Sequence, residues 1–569
     1  MPQNQDRKAY DPAGKLIPTI LDELAANEPD RVYGTLPMSQ TGYESGTRTI
    51  TWRKLANAVN GIARWMTENL GPCENFETIS YIGPHDMGHH IVCLAAMKAG
   101  YKGLFISPRY GTVGSVRLMK ETGCENLLVS PLADTKTRDA LVAEHGNLRS
   151  WTLPSLLDLF EVHQDFPYLK SYEEGKNDPM FVLHTSGTTG FPRPIFYPYK
   201  WGVALGQQRH RTAISGYKPL ESTWMGKRIV STTPPFHISF FLVGVILPFY
   251  SEATIIYPPA TMPPTAKTIA HVAEHLPIDI VSFLPNNVED LGSDINLQET
   301  FIKAGIKSII WGGGPVAQKP GAAVAKLFNL FTTMGSSEDG IWQAIRREKN
   351  WDSYPFNGMT FHPDHNIEFR DQGDGLYLAV IVRNSDPQKI QPVFCLFPNL
   401  TEYNTKDLFR RHSGSGIDSV WFYHGRTDDM LIFPTGFKWF PGTSEEHIQT
   451  GHRDLFEKVL ITVTGNNVVV LLEPTAALRQ QMDRAQQSED KEALNELRNT
   501  TLDQIWPTVE DLQRTCPSVV CFTRSRFIFT DADRPLLRTA KGTIRRKVSE
   551  ELYKDQIEAA YGPEKQEVY

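Results

Sequence analysis

Thr185 Ser186 Gly187 Thr188 Thr189 Gly190 Phe191 Pro192 Arg193 Pro194 follows directly on the apolar run Met180 to Leu183. Glycines at 187 and 190 free the backbone to curl. Consecutive N–H groups and the hydroxyls of Thr185, Ser186, Thr188 and Thr189 can then converge on phosphate oxygens. The stretch reads as a phosphate cradle at the end of a buried strand. It is not a Walker loop, because no Gly-Lys-Ser/Thr closes it and its glycine spacing differs. Taken alone, such a turn is as readily an ordinary surface loop, so the rest of the chain has to decide.

Four more segments do. Gly335 Ser336 Ser337 Glu338 follows the strand-like run Leu327 to Thr333; Tyr403 Asn404 Thr405 Lys406 Asp407 comes next, then Gly425 Arg426 Thr427 Asp428 Asp429, then Lys541 Gly542 Thr543 Ile544 Arg545 Arg546 Lys547. In this order they resemble the signature of the adenylate-forming superfamily: acyl-CoA and aryl-CoA ligases, luciferases and the adenylation domains of nonribosomal peptide synthetases. The family patterns are TSGTTGxPK, YGxTE, YxTGD, GRxDD and a C-terminal lysine loop. Within the superfamily, Ile79 to Gly83, Lys98 to Tyr101, Ile106 to Arg109, Ile310 to Pro315 and Lys541 to Lys547 resemble the fungal NRPS-like carboxylate reductases, in which an adenylation domain is followed by a carrier and a reductase domain.

The resemblance implies an α/β fold: a large N-terminal domain of layered α/β subdomains, residues 1–427, and a small mobile α+β C-terminal lid, residues 428–569. The residues agree with that layering. Strand-like runs at Ile278 to Leu284, Ile306 to Trp311 and Leu376 to Val382 alternate with helical patterns such as Thr265 to Leu276. Charge-rich Arg479 to Asn499 has helical composition with acids and bases four apart, and is expected to be an exposed helix or mobile excursion.

Composition narrows the function classes. A chain of 569 residues needs several cores. A net charge of -7 leaves no global basic field for nucleic acid, so a nucleotide must be held by local geometry. No window approaches a membrane-spanning length of apolar residues, and Met1 to Asp11 lacks a signal-peptide core. The 6 cysteines show no CxxC or zinc-like spacing, as expected of reduced thiols in the cytoplasm.

The implied chemistry is attack of a carboxylate on the α-phosphorus of ATP, giving an acyl-adenylate and pyrophosphate, followed by acyl transfer to a thiol. Negative charge builds on phosphorus, so cations and backbone donors are needed in place. By the resemblance, Thr185, Ser186, Gly187, Thr188, Thr189, Gly190 and Arg193 hold phosphates, and Glu338 is the Mg2+ ligand, a hard cation preferring carboxylate oxygen. Gly312, Gly313, Gly314 and Pro315 lie along adenine, Gly335 and Ser336 belong to the ATP site and Ser337 hydrogen-bonds phosphate; Met334 stands where relatives carry an aromatic that stacks on adenine. Asp407 accepts the ribose hydroxyls, Arg426 adds a polar contact, and Asp428 is the hinge. Arg193 and Pro194 replace the usual Lys and Gly of the cradle; Lys541, two positions before the common lysine site now held by Thr543, is the expected catalytic lysine.

For the acid, Phe236 His237 Ile238 Ser239 aligns with the Phe-Asp-x-Ser of domains that activate α-amino acids. His237 offers no permanent negative charge for an ammonium, whose burial unpaired is costly. The expected substrate therefore has no α-amino group and is aromatic or α-keto. Phe236, His237, Phe240 and Gly313 line its pocket, with Asn286 and Asn287 as polar contacts and His237 near the carboxylate. Transfer to a phosphopantetheine thiol on a carrier domain of the same parent polypeptide, ahead of a reductase that gives an aldehyde, is the expected sequel. A freestanding aryl- or acyl-CoA ligase and a degenerate nucleotide-binding module are the alternatives. No other carrier motif is present and no GxxGxxG-type loop follows residue 547, so the chain is expected to hold the activating half only. Neither nucleic acid nor membrane is an expected partner.

Three motifs are expected to be structural. His271 Val272 Ala273 Glu274 His275 matches HxxEH but fits an exposed helix face; Gly416 Ile417 Asp418 Ser419 Val420 resembles a carrier attachment site but lies where no carrier fits; His89 and His90 are expected to be structural histidines.

Overall fold

The computed structural model describes residues 10–163, 165–186, 192–207, 213–350, 353–386, 389–435, 437–487, 491–538 and 542–560. These fall into two compact units, 10–405 with 410–422 and 406–409 with 423–560.

In the first unit the apolar runs form two large sheets with helices between them, and Leu376–Val382 enters a further, five-stranded sheet between Glu402–Ser413 and Ile367–Asp371. The seven-stranded sheet runs, in spatial order, Asn329–Thr333, Ser308–Gly312, Ile280–Phe283, Arg228–Ser231, Thr254–Ile256, Val32–Pro37, Thr47–Thr51. All its neighbours are parallel except the last pair. The six-stranded sheet runs Arg149–Thr152, Asn126–Val129, Thr78–Ile82, Lys102–Leu104, Pro179–Ser186, Pro192–Pro198, with only the last pair antiparallel. Parallel strands covered on both faces must be apolar throughout: Leu127, Leu128, Val182 and Val281 are each 0% exposed.

The helical pattern at 265–276 becomes the helix Ala266–His275, N-capped by Thr265, whose hydroxyl accepts from the Thr268 amide. Its face of Ile269, Val272 and Ala273 packs on the seven-stranded sheet, with Val281 and Ile309.

The second unit has its own core. Phe456–Thr464 and Asn467–Pro474 pair antiparallel, and Phe527–Phe529 joins parallel to the latter. Helices Gly442–Gly451, Ala476–Gln487 and Lys491–Thr515 pack on this sheet through Ile448, Leu478, Met482, Ile505 and Val509. The charge-rich stretch Arg479 to Asn499 is helical over its described residues and mostly solvent-facing, as its composition suggests. Its few apolar residues Met482, Leu494 and Leu497, with Leu478 just before it, pack on the sheet, and Leu478 and Met482 are each 4% exposed, because the sheet offers them a surface to bury against.

Candidate active site

Parallel sheets place loops at the carboxyl ends of their strands, where ligands of open α/β folds settle. Four neighbouring strands of the seven-stranded sheet end here in succession. After Ser231 come Thr232 to His237; after Phe283, Leu284 to Asn287; after Gly312, Gly313 to Pro315; after Thr333, Met334 to Glu338. Residues 232–338 that sequence reasoning assigned to adenine, metal and acid therefore share one crevice edge.

The loop after Met334 is a tight hairpin. Gly335–Ser336 pairs with Gly340–Ile341, and a Cβ on Gly335 would sit 2.0 Å from the Gly340 carbonyl oxygen. Asp339 holds the turn: its Oδ1 accepts from the Ser336 amide at 2.6 Å and its Oδ2 from the Trp342 indole at 2.7 Å. Burial pushes the Asp339 carboxyl up to about 6, the two donors pulling the other way. Sequence reasoning missed Asp339; adjacency to Glu338 was its one signal, and burial is a tertiary fact. Ser336 Oγ donates to Glu338 Oε2 at 3.0 Å and accepts from the Glu338 amide at 3.1 Å, so the carboxylate is oriented by its own turn. Among the described residues Glu338 pairs with no cationic side chain.

The same loop is tied to the other sheet. Tyr197 OH donates to the Ser337 carbonyl at 2.8 Å and Trp201 Nε1 to the Glu338 carbonyl at 3.0 Å. Tyr197 lies on Pro192–Pro198, the strand that pairs with Pro179–Ser186 with Thr185 opposite Arg193. The ends of the cradle and the acidic hairpin, far apart in sequence, are thereby joined within one unit. Arg193 is exposed. Gly187, Thr188, Thr189, Gly190 and Lys541 lie outside the described residues.

Glycine at 312 also answers to the neighbouring strand. A Cβ there would lie 2.6 Å from Thr333 Oγ1, which donates to the Trp311 carbonyl at 3.1 Å. Gly313 has φ +94, left-handed backbone open to glycine.

At the acid end, His237 caps the helix that starts at Ile238; its Nδ1 accepts from the Ser239 amide at 3.2 Å and contacts Ser239 Oγ at 2.6 Å. The neutral ring then carries its proton on Nε2. Phe236 and Phe240 are buried beside it. Asn287 is 1% exposed. Its Oδ1 accepts from Thr232 Oγ1 at 2.7 Å, and its Nδ2 is buried with no partner among the described residues. Asn286, one residue earlier on the same helix, is exposed.

Asp407, Arg426 and Asp428 belong to the second unit. Asp407 is 4% exposed and faces Arg426 Nη1 at 3.2 Å. Asp428 sits in the turn Thr427–Asp429, with Lys406 Nζ at 3.1 Å and Arg426 Nη2 at 3.8 Å. Gly425, before them, has φ +151, and a Cβ there would lie 1.9 Å from the Phe440 ring. Gly425→Ala is expected to destabilise this unit by about 1–3 kcal/mol, read as a lower Tm, because the ring must leave its place and the backbone is strained.

The structural motifs are placed as follows. Ser419 is 5% exposed, and its carbonyl accepts from Thr360 Oγ1 at 3.0 Å. His271, Glu274 and His275 share a helix face with ligand atoms within 4.8 Å of one another; His271 Nε2 faces Glu44 at 3.5 Å and His275 Nδ1 bonds the His271 carbonyl at 2.9 Å. His89 and His90 are buried in the helix Gly88–Ala99.

Known proteins resemble this chain along most of its length. The family described as AMP-binding enzyme matches residues 21–380, and the AMP-binding enzyme C-terminal domain matches 428–565. A carboxylic acid reductase of Neurospora crassa is 29% identical over 96% of this chain and 50% of its own length. An adenylate-forming reductase of Serpula lacrymans is 25% identical over 90% of this chain and 46% of its own. The chain spans about half the length of these curated relatives. Among solved structures, the adenylation domain of a Mycobacterium chelonae carboxylate reductase shares the fold with a TM-score of 0.65 at 14% identity, covering 96% of this chain and 91% of that one. Among the described residues no helix is long and apolar enough to cross a membrane.

Proposed function

The chain belongs to the AMP-binding enzyme family, as an adenylate-forming enzyme, and we propose that it activates a carboxylic acid lacking an α-amino group, aromatic or α-keto, and passes the acyl group to a phosphopantetheine thiol of a carrier domain. In the first half-reaction a carboxylate oxygen attacks the α-phosphorus of ATP and the bond to the bridging oxygen of pyrophosphate breaks. In the second the thiol sulfur, losing its proton, displaces AMP from the acyl carbon.

The observation that carries the reading is the acidic hairpin: a Glu338 carboxylate oriented by Ser336, on a loop bonded through Tyr197 to the strand that leaves the phosphate cradle and through Trp201 to the helix Tyr199–Gly206 after it. Glu338 fits Mg2+, since it is an oxygen donor without a cationic partner among the described residues, and one carboxylate plus phosphate oxygens is the usual set for that ion. Bound there, the ion would neutralise charge on the phosphates. Thr185, Ser186, Arg193 and the residues between them would hold the phosphates, Asp407 and Arg426 the ribose, and the backbone at 312–315 with Met334 the adenine. His237, neutral with its proton on Nε2, would donate to the acid's carboxylate without adding a negative charge near it. The buried Nδ2 of Asn287 supports a carbonyl or hydroxyl acceptor on the substrate, since a donor left unpaired costs free energy that a bound acceptor would recover.

Acid-dependent exchange of labelled pyrophosphate into ATP tests the first half-reaction. Exchange with benzoic, cinnamic or arylpyruvic acids and none with standard amino acids is expected; the reverse result overturns the substrate class. Acylation of a supplied holo-carrier, without turnover of free CoA, is expected for the second half-reaction, whereas efficient acyl-CoA release marks a freestanding ligase.

Asp428 is proposed as the hinge between the orientations a lid needs for the two half-reactions. Its ion pairs to Lys406 and Arg426 are partly exposed and contribute about 0–1 kcal/mol, so Asp428→Asn should change little. Asp428→Pro fixes φ near about -65°. Adenylation and thioester formation measured separately should then fall unequally; equal losses count against a hinge.

A further inference from the structure

The helix that begins behind His237 is not regular. It runs α over Ile238–Phe241, widens to a π-turn over Leu242–Ile246, and returns to α over Leu247–Ser251. In the π-turn the Leu247 amide reaches back to the Leu242 carbonyl. Pro248 follows, and with no N–H it cannot return an i to i−4 bond to the Gly244 carbonyl. Such irregular turns survive only where something outside the helix satisfies and holds them.

Three buried side chains from other elements do so. Tyr33 OH donates to the Gly244 carbonyl at 2.6 Å and lies 3.2 Å from Tyr257 OH. Tyr257 OH meets His90 Nδ1 at 2.7 Å, and His90 Nε2 meets the Phe240 carbonyl at 3.1 Å. A carbonyl only accepts, so His90 carries its proton on Nε2 and its Nδ1 accepts from Tyr257. Tyr33, Tyr257 and His90 are 0%, 2% and 1% exposed. Burial holds His90 neutral, its imidazolium form suppressed to about 3. This relay of contacts draws on the strand Val32–Pro37, the end of the strand Thr254–Ile256 and the helix Gly88–Ala99; Tyr33 and Tyr257, each with its one proton already given away, meet by packing, and the irregular helix is held at Phe240, before the π-turn, and at Gly244, inside it.

Two further observations tie the relay to Phe240, a residue of the proposed acid pocket. The His90 ring stacks on Phe240 with centroids 4.1 Å apart and planes at 21°, and a Cβ on Gly244 would lie 1.9 Å from His90 Cε1, so ring and helix are mutually located. Phe240, His90 and Tyr257 together border a small cavity lined also by His85, Ser231 and Val243.

We propose that Tyr33, Tyr257 and His90 are positioning residues for the acid: by fixing the π-turn they seat Phe240 and His237, and so set which acids bind and how tightly, without contributing to the nucleotide site. The inference rests on the acid-activation reading above.

Tyr257→Phe and Tyr33→Phe each remove one hydroxyl and keep the ring. In pyrophosphate exchange, each folded variant is expected to raise the KM for the acid about tenfold while the KM for ATP stays within about twofold, and to flatten the preference among acids of different ring size, as expected when uniform binding at one subsite is lost. A variant with a lower Tm but unchanged acid KM and acid preference overturns the inference, as does a parallel rise in both KM values. If neither variant folds, the relay is a support of the fold and the inference fails. Absence of acid-dependent exchange in the wild type would instead sink the functional reading beneath it, so the two failures are distinguishable.

Discussion

Lys541→Ala is expected to slow adenylate formation by about 10² or more, the scale of losing one preorganised donor at a developing charge. The proposed role of Lys541 is to approach the α-phosphate and the carboxylate together when the lid closes, countering charge that exists only in the transition state. The KM for ATP should therefore change far less than kcat. Its rival is Lys547, six positions on, in the helix Arg546–Leu552. That helix is anchored by Arg546, whose guanidinium meets Glu445 at 2.8 Å, so a helical Lys547 is bound to the fold of the second unit. Single-turnover adenylation with Lys547→Ala should stay near wild type. Full activity in Lys541→Ala with loss in Lys547→Ala would show that the lysine loop is assigned to the wrong residue.

Gly335→Ala is expected to be nearly as damaging although no reacting group is removed. The added methyl would meet the Gly340 carbonyl oxygen at 2.0 Å. That atom is backbone, so relief requires the hairpin to open. Opening it breaks the Ser336–Asp339 bond and displaces Glu338 and the carbonyls that Tyr197 and Trp201 hold. A displacement of about 1 Å at a positioning loop can cost about 10² in rate, so acid-dependent exchange should fall by that order with the Mg2+ requirement shifted to higher concentration. A Gly335→Ala variant with wild-type exchange and wild-type Mg2+ dependence would show that this hairpin is not the metal-positioning element.

Not every glycine of the motifs serves the same end. The sequence suggests that 312–314 are glycines so that a backbone can lie along adenine, yet at 312 the immediate reason is the Thr333 side chain of the neighbouring strand. Only the register of Ser308–Gly312 with Asn329–Thr333 reveals it. The charge-rich stretch near residue 485 teaches the same lesson. Its composition is that of a solvated helix, and Leu478 and Met482 look incidental until the sheet that buries them is in place.

What the sequence determined by itself is what local chemistry encodes: apolar runs bounded by glycines for parallel strands, Thr265 as a helix cap, a Ser/Thr/Gly curl suited to phosphate, a Glu in a short turn suited to a hard cation, and a His where an ammonium-binding Asp would stand. These depend on neighbours within a few positions, which order along the chain preserves. Tertiary structure alone decided which distant groups meet. It buried Asp339 against Trp342 and tied Ser337 to the strand leaving the cradle and Glu338 to the helix after it. It also set Tyr33 and His90, more than a hundred positions away, against carbonyls that a π-turn and a proline leave in need of donors. A buried carbonyl must be satisfied by whatever the fold brings within 3 Å or so, and that partner carries no mark in the sequence, because the demand arises only once the helix has bent and water has gone.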